Sequence, residues 1–149
     1  MTNPVYSRAT RFLFVALALA VAVSVVHYID NYMNYHDYPM PGPGSPVPVP
    51  SATVVGASWF VFTASGALGV WLWSRRRIVA SAIALAGYSL SGLVGLAHYI
   101  VPGAFAMVWW RQTHVVADIV CGLVIAGFAA WAAANATRLA PASPGRHSP

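Results

Sequence analysis

Seven side chains carry most of the chemistry open to this sequence: His27, Asp30, His36, Asp37, His98, His114 and Asp118. They include four of the five histidines and all three aspartates. His27 lies three residues before Asp30 and four before Asn31, spacings that share one helix face, and Ser24 extends that face. His114, Asp118 and Cys121 follow one another at steps of four and three, again a single stripe. Gly87, Ser91 and Gly95 recur at four-residue steps, a ridge of small residues that lets helix backbones approach closely in lipid. His98 comes three residues later, aligned with Ser91 and Tyr88. The expectation is that three separate segments deliver this set to one depth.

Imidazole and carboxylate groups suit Zn, Fe or Mn as divalent ions. In that reading His27, His98, His114 and Asp118 are the metal ligands. An open coordination position would polarise a water or a carbonyl, and Asp30 would serve as general base. No HExxH signature supports it. A second reading makes the same residues a hydrogen-bonded network without metal, able to exchange protons, hold a polar head group or clasp helices. A third, paired histidines on haem, fits less well. A transmembrane electron path needs a second haem toward the other face, and no histidine lies there. The single cysteine, Cys121, excludes an intrachain disulfide and any multi-cysteine cluster.

The elements that must position these residues follow from composition. The chain has 149 residues, 58% hydrophobic and 7% charged, with neither Lys nor Glu. A soluble domain carries about 25% charged residues. Four continuous apolar runs, residues 12–29, 52–74, 78–101 and 113–137, each match the roughly 20 residues a spanning helix needs. They do not alternate, so they read as helices and not barrel strands. The fold class expected is all-α: an integral membrane four-helix bundle. The net charge of +5 does not indicate nucleic acid, because the arginines cluster between apolar runs. Arg8, Arg11, Arg75 to Arg77, Arg138 and Arg146 fall on one side of a four-span chain and only Arg111 on the other. The positive-inside rule then puts both termini in the cytoplasm and the His/Asp set on the extracytoplasmic side of the cell membrane. A cleaved signal peptide is the rival reading of the first run, but that run is longer than a signal core.

Residues 39–50 hold six of the eleven prolines and read as a polyproline II spacer, with a lid over an outer pocket as the sharper alternative. Residues 139–149 read as a disordered cytoplasmic tail. Tyrosines and tryptophans near the ends of the runs, among them Trp59, Trp71 and Trp73, read as interface anchors. The second run, with only Ser58 and Ser65 on one side, reads as a packing partner. Together these features predict a small multi-pass protein with an outer-facing His/Asp pocket, acting through a metal on a lipid or amphipathic substrate. The alternative is a non-enzymatic accessory subunit that uses the polar cluster for contact or proton exchange. Membrane lipid is the expected surrounding partner, and four short helices leave room for a homo-oligomer or a larger complex.

Overall fold

The computed structural model describes residues 3–42 and 49–140. Its main elements are helices α1 (Pro4–Met33), α2 (Ala52–Ser74), α3 (Ile78–Leu93) and α4 (Trp109–Ala134), followed by a last turn α5 (Ala136–Leu139). Four helical segments are long and apolar enough to cross a membrane: Pro4–Met33, Ala52–Ser74, Ile78–Ile100 and Trp109–Ala134. The all-helical reading therefore stands, with four helices able to span a membrane. The first helix is longer than the apolar run predicts at both ends. Asn3 caps it, its Oδ1 accepting from the amides of Val5 and Tyr6 at 3.0 and 3.2 Å, and Pro4 occupies the first position, where no amide is needed. Ser51 caps α2 through the amide of Val54. The α-helical part of the third span stops at Leu93 and continues as a 3-10 helix, Val94–Ile100, before Pro102 and the left-handed Gly103 (φ 84°) turn the chain.

The order of packing is α2 against α3, α3 against α4, and α1 closing on α4 and α2. The α3–α4 seam is the closest. Gly92 and Gly122 face one another there: a Cβ on Gly92 would collide with the backbone carbonyl of Asp118, and one on Gly122 would come within 2.8 Å of the Ser89 carbonyl oxygen. The Gly87, Ser91, Gly95 ridge is split by contrast. Gly87 faces Ser65 of α2, whereas Gly95 faces Ile119 of α4.

The main core lies toward the arginine-rich end and joins Leu13, Leu17, Trp73, Leu85, Ile125, Phe128 and Leu139. Two expectations change here. Trp73 is not an interface anchor. It is 1% exposed, stacks on Tyr6 with ring centroids 5.1 Å apart, and donates from Nε1 to Thr10 Oγ1 at 2.8 Å. Leu139, assigned from sequence to the tail, is fully buried in the last turn. That turn is tied down where Asn3 Nδ2 donates to the Arg138 carbonyl at 2.7 Å and Arg76 Nη1 to the Leu139 carbonyl at 3.2 Å. Arg76 holds a left-handed φ of 59° with its guanidinium over the Tyr6 ring. The three-arginine turn thus has a packing role besides its charge. The remainder of the proposed tail, residues 141–149, lies outside the described residues, as does the centre of the Pro-rich segment, residues 43–48.

Candidate functional site

At the end opposite the arginine-rich turn, α1, the 3-10 segment and α4 bring the predicted set together. His27, Asp30, His114 and Asp118 are all buried, and His98 is partly buried. Asp118 stands nine residues into α4, roughly 14 Å below its start at 1.5 Å per residue. At such depth a carboxylate facing lipid costs up to about 2.5–3.5 kcal/mol on insertion scales, so it turns inward. His27 Nδ1 donates to Asp118 Oδ2 at 2.7 Å. The carboxylate accepts the Nδ1 proton, and in the neutral ring this tautomer leaves Nε2 as the acceptor. That Nε2 is buried and has no hydrogen-bond partner.

His98 is fixed differently. Asn31 Nδ2 lies 3.0 Å from His98 Nε2, and an amide NH₂ can only donate, so Nε2 accepts and the ring proton sits on Nδ1. The 3-10 winding matters here, because residues three apart eclipse in it. His98 therefore stands directly over Gly95, which leaves room beside the His27 ring.

Asp30 belongs to a second cluster. It accepts from Arg111 Nε at 2.9 Å, from the Tyr38 hydroxyl at 2.6 Å and from Asn34 Nδ2 at 2.7 Å. Arg111, whose side chain is 7% exposed, also donates from Nη2 to Asp37 at 3.2 Å and lies 4.9 Å from the centroid of the Tyr38 ring. Burial, and then the adjacent Asp30 carboxylate, push the Tyr38 phenol well above its ordinary range, so it stays a donor. His114 Nε2 approaches Asp30 Oδ2 to 3.3 Å, but the geometry is not aligned for a hydrogen bond and both its ring nitrogens lack partners.

The predicted residues are thus neighbours, but divided. The His27 ring centroid is 5.7 Å from that of His98 and 5.5 Å from that of His114. Even so, among the described residues no group of three or more His, Cys, Asp or Glu side chains is arranged to hold a metal ion. The reason is local. Asp118 is committed to His27, His98 to Asn31, and a guanidinium occupies the space a cation would take beside Asp30. Asp30 likewise differs from the general base expected of it. Three donors engage its oxygens, and it does not line the cavity. His36 is exposed and does not line the cavity.

A cavity of about 300 Å³ opens beside His27 between α1, α2 and the 3-10 segment, at the lower end of the volumes typical of ligand pockets. His27, Asn31, His98, Tyr28, Ser58 and Ser91 form its polar wall. Val54, Val55, Phe62, Val94 and Val101 form much of the rest. Pro39, Met40, Pro41, Val49 and Pro50 also line it, so the described ends of the Pro-rich segment are cavity wall and not only spacer. The Tyr35 hydroxyl, in the turn just before this segment, donates to the Pro50 carbonyl at its far end. Below the cavity, Trp59 Nε1 donates to Ser24 Oγ at 3.1 Å and the Tyr28 hydroxyl to the Ser91 carbonyl at 3.1 Å. Helix α2, read from sequence as packing only, therefore supplies Ser58 and Trp59 to the polar region. Tyr38, Arg111 and the Gly92–Gly122 contact are the parts that periodicity does not single out.

Comparison with known protein families, with characterised proteins and with solved structures finds no match, and the reading of the site rests on its own geometry.

Proposed function

We propose that this is a multi-pass protein of the cell membrane, with both termini cytoplasmic, that admits a small amphipathic or lipid-like molecule to a cavity on its extracytoplasmic side. Two observations on one side chain carry the proposal: His27 lines the cavity, and its Nε2 is buried without a partner while Asp118 grips the other nitrogen. Buried polar atoms are nearly always paired, so an orphan in a cavity wall marks a place for a ligand atom. The carboxylate orients the imidazole and makes it a better acceptor. If proton transfer follows binding, His27 is the base and Asp118 the group that positions it, roles that pass to this pair from Asp30. Mass spectrometry of molecules retained by the purified protein tests the proposal. The wild type should retain an amphipath that Ser58→Phe, which fills the cavity, releases. Retention of the same molecules by both proteins, or of bulk lipid alone, would overturn it.

A second reading keeps a divalent Zn, Fe or Mn ion. The unpartnered nitrogens of His27 and His114 on neighbouring rings favour it, although His114 and His98 would have to rotate to converge. Elemental analysis decides it: stoichiometric metal, lost in His114→Ala, would establish the ion, and metal-free protein would remove it. An ultraviolet-visible spectrum of the same sample decides on haem. The accessory-subunit alternative draws support from the exposed apolar face of α2, where Phe60 and Val61 are 69% and 68% exposed. Cross-linking in the membrane would reveal a second copy or a partner protein on that face.

A further inference from the structure

The polar wall of the cavity also restricts the head group of its occupant, and this inference rests on the amphipath-binding reading above. With Asp118 taking the Nδ1 proton, the neutral His27 ring leaves its unpartnered Nε2 as an acceptor. The ligand must therefore bring a donor. His98 lines the same cavity, its Nε2 already engaged by the Asn31 amide. A hydroxyl donates a hydrogen bond without carrying charge, and so can answer the His27 acceptor. Charge sharpens the choice. No Arg or Asp lines the cavity among the described residues. Among the described residues the one arginine at this end, Arg111, is committed to Asp30 and Asp37. An anionic head would find no free cation there, and an ammonium would find no carboxylate in the wall, each at the cost of leaving water. We infer that the cavity takes a neutral amphipath with a hydroxyl head, its O–H donated to His27 Nε2 and its apolar part lying along Val54, Phe62 and Val94.

The test uses the full chain in lipid nanodiscs and four photoreactive alkyl diazirines of equal chain length, ending in a hydroxyl, a methyl ether, a carboxylate or an ammonium. Labelled peptides are mapped by mass spectrometry. The hydroxyl probe should label residues 49–62 and 91–101 roughly tenfold more than the ether, the penalty expected for leaving a buried acceptor unpaired. His27→Phe, which keeps a ring but no nitrogen, should abolish that excess. Equal cavity labelling by hydroxyl and ether, or a preference for the carboxylate or the ammonium, overturns the hydroxyl assignment while amphipath binding stands. Excess labelling that survives in His27→Phe overturns the role of His27. If no probe labels the cavity above the lipid-facing surface, the binding reading fails as well. The comparison of probes on the wild type does not depend on the variant folding.

Discussion

His27 and Asp118 are 91 positions apart in the chain and meet at 2.7 Å, in a part of the bundle where neither has water to fall back on. The contact is unequal. Without Asp118, His27 can remain neutral. Without His27, a carboxylate is stranded. His27→Ala should therefore destabilise the protein more than Asp118→Ala. The expected losses are about 3–5 kcal/mol for the stranded charge and about 1–3 kcal/mol for the lost acceptor. Thermal unfolding in detergent measures both. Equal losses, or the reverse order, would show that the pair is not the anion–imidazole contact described.

Arg111 links three acceptors on two segments: Asp30 of α1, the Asp37 side chain and, more weakly, the Asp37 carbonyl. Arg111→Met should leave the buried Asp30 carboxylate without its counter-ion, held only by Tyr38 and Asn34, costing about 3–5 kcal/mol, whereas Arg111→Met with Asp30→Leu should recover most of that loss, because apolar replacement of a buried pair is often neutral. A double-mutant cycle reads the coupling directly. Simple additivity would mean that the contact is solvent-screened.

The seam between α3 and α4 is set by glycine. Gly92→Ala would drive a methyl into the Asp118 backbone and should cost about 1–3 kcal/mol or more through overpacking. Gly127→Ala, on α4 with open space around it, should stay within about 0.5 kcal/mol of the wild type. Similar behaviour of the two variants would place the helices farther apart than the structure has them.

Tyr38 supplies a pH dependence with a definite sign. Burial and the Asp30 carboxylate raise its folded pKa above the usual value of about 10. Its contribution is then fully present below pH ~10 and is lost as pH rises through the folded value. Stability should fall above pH ~10 in the wild type and less steeply in Tyr38→Phe. Parallel curves over pH 9–11.5 would contradict this placement of the phenol.

Sidedness is open to cysteine labelling, since Cys121 is the chain's only thiol. In a Cys121→Ala background, Val49→Cys should react with an impermeant maleimide added outside intact cells. Ser74→Cys should react only after permeabilisation. The opposite pattern would invert the proposed topology and move the cavity to the cytoplasmic side.

Local sequence was sufficient for the helices and for the faces of α1 and α4 that carry His27, Asp30, His114 and Asp118, because apolar length and the 3.6-residue repeat act within one segment. The placement of seven arginines likewise needs no partner to be read. What required the folded chain was the division of labour among those residues. Asp30 looks as available as Asp118 until Arg111, Tyr38 and Asn34 close around it. Trp73 looks like a belt residue until Thr10 and Tyr6 receive it. A side chain's spacing determines which face it occupies, but its hydrogen-bonding capacity is consumed by whatever the other helices bring to that face. Only their packing, set at Gly92 and Gly122, decides which nitrogen remains free.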